Sequence, residues 1–492
     1  MNKNKRILLL SAVAGLSAGI VPLLSCCGSG LRRGAIDITN SDFNVEYYDD
    51  YKGFLVTDYK GEADTLELPN EVRDENGEYK PIKGIVDYAF SKREKLKEVR
   101  LSENMEYVGP HAFAESRIEK LVLNANVREF PASSLGEAPI ALSTYENCQY
   151  LPGPGTDYYY LVSYLGSGDV KVHSNCHAIA KGIFGDTFYN KITMDKDCKI
   201  EILDTGCLKG KNIGSSGNLV SFSNLQYLGP NCLNGTGYVD AVKLGSKIKK
   251  LLSSSLAGCK LHSVVVPETI DQIEAGCFEG CSNLTSITVP FATPGFAEMS
   301  WPLSNDTCFK SYFGKYSSSA EVPSNLRTIV ITGVKKEDGT VLGARHSQQW
   351  LKGVSVISIK VPANMDFYYQ DFAGKSIESY PIGDECTFIG EEAFKGCANE
   401  RLTTLKIPRS VKTIERGAFA KNSALKTVYI PKTVKTMGRA VFENSGSYDA
   451  EGTRTDFTIY CEAESKPEGW DSRWNDWGDS YAYVRWGAKM PY

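Results

Sequence analysis

The stretch LTTLKIPRSVKTIERGAFA, residues 402–420, decides the fold, because LKTVYIPKTVKTMGRAVFE repeats its pattern at residues 425–443. Related stretches begin at Leu96 and Leu261. Counting back from the aromatic residue near the end of each stretch, apolar residues recur at the same six spacings, and each column keeps one class of side chain. One supersecondary unit of about 23 residues is therefore repeated along the chain.

Each unit predicts two short extended segments followed by a turn. The V-x-I step alternates apolar and polar residues, which indicates a half-buried strand. Proline ends this strand, as at Pro408 and Pro431, because it has no N–H to donate. After a second extended segment, the E-x-G-A-F-x-G-C stretch predicts a single helical or 3₁₀ turn. Such a unit can bury its apolar edge only against stacked neighbours.

The full pattern, L-x-x-[VI]-x-[IV]-P-x-x-[VI]-x-x-[IV]-x-x-x-A-F-x-G-C, resembles the BspA-type leucine-rich repeat of bacterial surface proteins, of the kind found in Bacteroidota. This resemblance implies an α/β leucine-rich-repeat solenoid, horseshoe-like and strand-rich, with about 13–15 repeats. It also implies a non-enzymatic surface protein that takes part in adhesion or host-protein binding and needs no cofactor.

The repeat register predicts how the chain is organised. We expect a lipoprotein signal peptide, a lipidated tether with an N-terminal strand cap, a repeat array with two insertions, and an aromatic C-terminal cap. These segments are residues 1–25, residues 26–62, residues 63–460 with insertions near 136–169 and 291–324, and residues 461–492. Insertions in a repeat array often carry binding residues, although irregular repeats with long loops would give the same pattern.

The amino terminus predicts a lipid anchor. A basic start precedes an uncharged segment at residues 7–24, and Leu23-Leu24-Ser25-Cys26 resembles a bacterial lipobox with lipid attachment at Cys26. The alternative is a transmembrane anchor, for which this segment is short. An outer-membrane or cell-surface location is expected. Because no acidic residue follows Cys26 as an export signal, a periplasm-facing location stays open.

Charge and motifs argue against nucleic-acid binding and catalysis. The chain has a net charge of −4. Removal of residues 1–25 would also remove three basic side chains and make the net charge more negative. An acidic chain opposes binding to nucleic acid. The sequence contains five histidines and no H-E-x-x-H, G-x-S-x-G or P-loop string. We therefore expect no enzymatic activity.

The cysteines and one histidine cluster have competing interpretations. Fourteen cysteines in a secreted chain would suggest disulfides, but the register places most of them in buried ladder columns. Disulfides between stacked neighbours, or at Cys148 and Cys308 in the insertions, stay open. The stretch from His173 to His177 has the composition of a metal site, but the register turns Cys176 inward and leaves both histidines in turns. No metal site is predicted.

Outward positions of the first strands form the candidate protein-binding face: Arg100, Lys120, Thr288, Lys406 and Tyr429. The plainer interpretation is an ordinary solvated sheet face. We expect a protein or glycoprotein partner at this face. The pattern does not predict the partner's identity or the oligomeric state.

The aromatic C-terminal segment suggests a different candidate function. Trp470, Trp474 and Trp477 would suit stacking on sugar rings if their indole faces were exposed. The competing interpretation is that these large rings close the last layer of the solenoid. A purely structural envelope protein without a soluble ligand is the third possibility.

Overall fold

The computed structural model describes residues 34–39, 41–166, 168–184, 190–194, 198–214, 219–236, 241–296, 308–314, 320–335, 341–342, 350–355, 358–397, 399–448, 454–455, 457–476 and 482–492. Its contacts form two compact units. The first unit comprises residues 1–217 and 224–233, and the second comprises residues 218–223 and 234–492.

The first unit is built from short strands and one 3₁₀ helix, Ala132–Ser134. The strands are Ala35–Asp37, Phe43–Tyr48, Gly53–Tyr59, Thr65–Glu67, Glu71–Arg73, Tyr79–Ile85, Glu98–Arg100, Tyr107–Val108, Lys120–Val122, Ser143–Tyr145, Cys148–Gly153, Thr156–Tyr164, Val170–Lys171, Ala178–Ile179, Lys191–Thr193, Ile202–Leu203, Asn212–Gly214 and Tyr227–Leu228.

The second unit has the same character, with one 3₁₀ helix at Phe309–Phe313. Its strands are Leu219–Phe222, Ala241–Leu244, Lys250–Leu251, Ser263–Val265, Gln272–Ile273, Ser286–Val289, Gly295–Phe296, Thr328–Ile331, Val334–Lys335, Val341–Leu342, Ser358–Lys360, Phe388–Ile389, Thr404–Lys406, Thr413–Ile414, Thr427–Ile430, Thr436–Met437, Ser447–Tyr448, Arg454–Thr455, Thr458–Cys461 and Tyr483–Arg485.

The repeated strands pair in parallel and in register, so that equivalent residues of successive repeats lie side by side. In the first unit Leu66, Val99 and Leu121 form one such column. All three are buried. Burial of matched apolar columns is the main favourable term in such a stack. The leucine-rich-repeat prediction is therefore confirmed.

Two first-strand ladders run through the second unit. The middle ladder aligns Val242, Val264, Ile287, Ile329 and Ile359 in one buried column. The C-terminal ladder comprises Thr404–Lys406, Thr427–Ile430, Thr458–Cys461 and Tyr483–Arg485. It aligns Leu405, Val428, Ile459 and Val484. Pairing therefore continues beyond residue 460, into the segment expected to be a cap.

In the C-terminal repeats the aromatic residue of one repeat stacks on that of the next. The ring centroids of Phe394 and Phe419 lie 5.4 Å apart with the planes 5° from parallel, and those of Phe419 and Phe442 lie 5.8 Å apart. The backbone N–H of Val441 donates to the carbonyl of Trp474 at 3.0 Å. The chain around Trp474 therefore continues the turn-to-turn hydrogen bonding beyond Phe442.

The turn around this aromatic residue differs from the predicted helical turn. Among the described residues, helical geometry is confined to the two 3₁₀ helices, and no α-helix occurs. Elsewhere two left-handed residues flank the aromatic one, as with Glu392 (φ 54°) and Gly396 (φ 66°) around Phe394. Left-handed geometry is unfavourable by about 1–2 kcal/mol for a residue with a side chain.

Hydrogen bonds between repeats explain why the left-handed geometry persists. The N–H groups of Glu392, Phe394 and Gly396 donate to the carbonyls of the following repeat, which belong to Arg416, Ala418 and Ala420, at 3.0, 2.8 and 2.8 Å. A helical turn would direct these N–H groups back into its own segment. The turns therefore form a hydrogen-bonded ladder of their own, which offsets the unfavourable backbone geometry.

The two insertions have different structures. In the first, Ser143–Tyr145, Cys148–Gly153 and Thr156–Tyr164 form an antiparallel sheet, and the last strand pairs in parallel with Ala178–Ile179. In the second, the 3₁₀ helix supplies the turn of an irregular repeat, because the N–H of Phe278 donates to Tyr312 at 2.9 Å. Tyr312 is fully buried.

The cysteines within the described residues are core residues, as the register predicted. Eleven of these twelve side chains are buried, and that of Cys308 is half-buried. Burial raises the pKa of the Cys148 thiol to about 12. The thiols of Cys207 and Cys232, from neighbouring repeats, lie 3.3 Å apart. In this environment cysteine acts as a small apolar side chain.

Candidate functional site

On the outward face of the first-unit ladder, the cationic side chains are paired with a carboxylate of the same face. Arg100 and Lys120, two of the predicted binding residues, flank Glu98, which lies 2.5 Å from the Arg100 guanidinium and 3.3 Å from the Lys120 ammonium group. The register sets Arg100 beside Val122. Both cations already have an anionic partner within the molecule, so this face offers little charge for recognition.

The outward face of the middle ladder carries two exposed lysines, Lys243 in register with Val265 and Lys360 in register with Val330. Thr288, a third predicted binding residue, lies in register between Val265 and Val330. The Val265 side chain is 47% exposed. The three residues between these lysines present only methyl groups and one hydroxyl, which provide few directional contacts.

The outward face of the C-terminal ladder has a different composition. Lys406, Tyr429, Tyr460 and Arg485 lie in register on four adjacent strands, and we call them the tyrosine–arginine row. The rings of Tyr429 and Tyr460 stack with centroids 5.1 Å apart and planes 20° from parallel. The Arg485 guanidinium carbon lies over the Tyr460 ring, 5.6 Å from its centroid. Two stacked aromatic rings therefore lie between two cations, and the row contains no carboxylate.

A second row on the same face consists of Thr404, Thr427, Thr458 and Tyr483. Tyr483 is 61% exposed, and its ring centroid lies 5.7 Å from the Arg485 guanidinium carbon. Arg485 thus contacts two tyrosine rings. Strand pairing fixes the backbone positions of both rows relative to one another.

One edge of the tyrosine–arginine row carries a charged cluster that is already paired. The Tyr492 hydroxyl donates to the carbonyl of Ile407 at 2.6 Å, and the Arg409 guanidinium lies over the Tyr492 ring. Arg409 also pairs with Glu462 at 3.0 Å. The pKa of Glu462 is lowered, first by the hydrogen bond from the Lys432 backbone N–H and then by Arg409. These contacts stabilise Glu462 as a carboxylate.

The sequence identified only half of the tyrosine–arginine row. Lys406 and Tyr429 were predicted, whereas Tyr460 and Arg485 were not. The signal for Tyr460 was present, because TIYC at residues 458–461 matches TVYI at residues 427–430, but no proline follows it. Arg485 lies in the segment interpreted as a cap, where the repeat pattern is weakest.

The two described tryptophans of the candidate glycan site are buried in the core. Trp470 and Trp474 are 3% and 2% exposed, and their ring centroids lie 4.8 Å apart. The indole N–H of Trp470 donates to the carbonyl of Val434 at 3.1 Å. Trp477 lies outside the described residues. Neither Trp470 nor Trp474 offers an exposed face to a sugar ring, so both act as packing residues.

The other candidate sites were a lipid-attachment cysteine and a histidine cluster. Cys26 lies outside the described residues. The Cys176 thiol points inward and donates to the carbonyl of Ala178 at 3.2 Å. His173 stacks on Tyr158, and His177 stacks on Tyr159. Where the chain is described, no three His, Cys, Asp or Glu side chains are grouped to hold a metal ion.

The parallel, in-register ladders of short repeated strands define a leucine-rich-repeat protein. Residues 79–139, 211–300 and 350–450, just over half of the chain, match six copies of the BspA type leucine rich repeat region. The chain therefore belongs to the BspA-type leucine-rich-repeat family. Members are generally cell-surface proteins, and membership indicates a protein-binding, non-enzymatic role. No helix in the described part of the chain has the length and apolar character needed to span a bilayer.

Solved bacterial structures with similar folds include a leucine-rich repeat protein from Bacteroides ovatus. It is 13% identical, with 91% of this chain and 98% of that chain covered and a TM-score of 0.28. A leucine rich cell surface protein from Faecalibacterium prausnitzii is 15% identical, with coverages of 85% and 97% and a TM-score of 0.22. The pneumococcal vaccine antigen PcpA is 10% identical, with 88% of each chain covered and a TM-score of 0.25. No curated protein matches the chain.

Proposed function

We propose that this chain is a lipid-anchored protein of the cell envelope that binds a partner protein or glycoprotein through the tyrosine–arginine row, as an adhesin does. The row itself carries the proposal. Among the described first-strand ladders, it is the outward face that places two tyrosines beside an arginine, and its cations are not paired with a carboxylate of the described residues. Family membership supports binding over catalysis.

The physical properties of the row favour protein recognition. Tyrosine and arginine are enriched among the residues that dominate binding energy at protein interfaces. Tyrosine rings lose little conformational entropy on binding, and here Tyr429 and Tyr460 are already stacked. A preorganised surface retains more of its contact energy as affinity.

Replacing Tyr460 with alanine is expected to weaken binding to the partner by roughly tenfold or more, because the substitution removes the ring that contacts both Tyr429 and Arg485. The measurement is a binding screen of the purified chain against immobilised extracellular and host glycoproteins, followed by titration of any hit. Tyr88→Ala is the matched control, since Tyr88 is a 58% exposed tyrosine in the other unit. A screen that retains no protein, or equal losses in the two variants, would contradict the proposal.

Replacing Cys26 with serine is expected to abolish lipid attachment, because serine lacks the thiol that receives the lipid. Wild-type cells should incorporate labelled fatty acid into the protein, and the protein should partition into the detergent phase. Cys27→Ser is the matched control and should behave as wild type. If the Cys26→Ser protein carries no label but stays in the membrane fraction, the lipid-anchor proposal is contradicted and a membrane-spanning anchor is favoured.

A further inference from the structure

The charge of the tyrosine–arginine row contrasts with that of the whole chain. The chain carries a net charge of −4, yet the row places Lys406 and Arg485 at its two ends without an acidic residue between them. Both side chains are exposed. In the part of the chain that the structure describes, no carboxylate pairs with either one, in contrast to Arg100 and Lys120 beside Glu98.

The packing of Arg485 suits it to bind a carboxylate. Its guanidinium contacts the rings of Tyr460 and Tyr483, which restrict its motion. Contacts with ring faces use the π surface of the guanidinium and leave its in-plane N–H donors available. Those donors match the two oxygens of a carboxylate in a bidentate pair.

The ladder also fixes the spacing of the two cations. Lys406 and Arg485 are separated by three strand steps. At about 4.8 Å per step, this corresponds to about 14 Å. An extended peptide rises about 3.3 Å per residue and turns alternate side chains to the same side, so its residues i and i+4 lie about 13 Å apart on one face. Threonine hydroxyls of the second row lie along the same path and can donate to peptide carbonyls.

We infer that the tyrosine–arginine row binds an extended acidic segment of a partner protein, with carboxylates at positions i and i+4 paired to Lys406 and Arg485. This inference rests on the proposed function and adds the chemical class of the partner segment. The tyrosine rings contact the apolar parts of the segment, and the two cations fix its register.

Peptide binding to the full chain tests the inference by fluorescence anisotropy. The probe is fluorescein-labelled Gly-Ser-Glu-Thr-Gly-Thr-Glu-Ser-Gly, which has glutamates at i and i+4. The comparison peptides are an isomer with adjacent glutamates and an analogue with lysine in place of glutamate. We expect the probe to bind most tightly and its affinity to fall as salt is raised.

Charge reversal identifies the site. Lys406→Glu combined with Arg485→Glu is expected to lower the affinity for the probe by roughly tenfold or more. Lys412→Glu combined with Lys435→Glu is the matched control, because both residues are exposed and lie outside the row while the net charge change is the same. The control should leave the affinity within about twofold of wild type.

The outcomes separate this inference from the proposed function. Equal binding of the three peptides, or equal losses in the two double variants, overturns the acidic-segment inference. Tyr460→Ala could abolish binding to a screened glycoprotein while Lys406→Glu combined with Arg485→Glu leaves that binding unchanged. In that case the proposed binding face is supported, and the inference that the partner segment is acidic is wrong. If the probe binds as expected but the screen retains no glycoprotein, the acidic-segment inference is supported and the proposal of a glycoprotein partner is contradicted.

Discussion

Replacing Ile287 with aspartate is expected to lower the free energy of unfolding of the second unit by at least about 4 kcal/mol. Ile287 is fully buried in the middle ladder, in register with Val264 and Ile329. Its neighbours are aliphatic, so an aspartate at this position would be buried without a cation or donor to compensate it. The substitution also removes the apolar contacts of the isoleucine side chain.

Thr288→Asp is the matched control for this prediction. Thr288 is the next residue on the same strand, and its side chain points to the outward face. We expect Thr288→Asp to change the free energy of unfolding by no more than about 1 kcal/mol. Chemical denaturation followed by circular dichroism would measure both variants. Equal midpoints for Ile287→Asp and the wild type would contradict the stacked-ladder structure.

Asp204 is expected to make the first unit more stable in mild acid than at slightly alkaline pH. Its side chain is 1% exposed, and its carboxylate accepts a hydrogen bond from the backbone N–H of Phe130 at 2.8 Å. A further backbone N–H, from Lys181, lies 3.4 Å from the same oxygen. Asp204 therefore connects the repeat before the first insertion to the repeats after it. Burial raises the pKa of Asp204 to about 7.

The sign of the effect follows from the direction of this shift. In the unfolded chain an aspartate has a pKa of about 3.9, so the folded state holds the proton more tightly. The resulting stabilisation is fully present below pH 4 and is lost as the pH rises through 7. A pKa shift of this size lowers the free energy of unfolding of the first unit by about 4 kcal/mol between pH 4 and pH 8.

Denaturation midpoints across this pH range, for the wild type and for Asp204→Asn, would measure this contribution. Asparagine has nearly the same shape and does not titrate, so the variant should lack the part of the pH dependence that Asp204 provides. The difference between the two curves should widen from pH 4 to pH 8. Parallel curves would show that the Asp204 pKa in the folded protein is close to its ordinary value.

The sequence allowed the ladders to be predicted but not the turns. Buried columns such as Leu405 and Val428 follow directly from apolar periodicity, because one side chain in two must face the core. The left-handed geometry of Glu392 has no local signal, because glutamate does not favour this geometry. It is stabilised by the hydrogen bond that the Glu392 N–H donates to the carbonyl of Arg416, in the following repeat. Such a contact becomes visible only once repeats are stacked.

The same distinction applies to the candidate site. Lys406 and Tyr429 belong to repeats with the complete pattern, so their outward position could be predicted from spacing. Tyr460 and Arg485 lie on strands that no proline directly follows, in the segment where the repeat pattern is weakest. Their membership of the row depends on strand pairing over long sequence separations, which the local pattern does not encode.

The in-register ladder has a consequence for how binding specificity could change during evolution. Loss of one residue from a strand would turn its core side chains to the outside, whereas gain or loss of a whole repeat preserves every hydrogen-bonded column. Duplication of a repeat between Lys406 and Arg485 would therefore move the two cations apart by one strand spacing, about 4.8 Å, without disturbing the core. Specificity for the spacing of charges on a partner would change in discrete steps, through the number of repeats rather than through their residues.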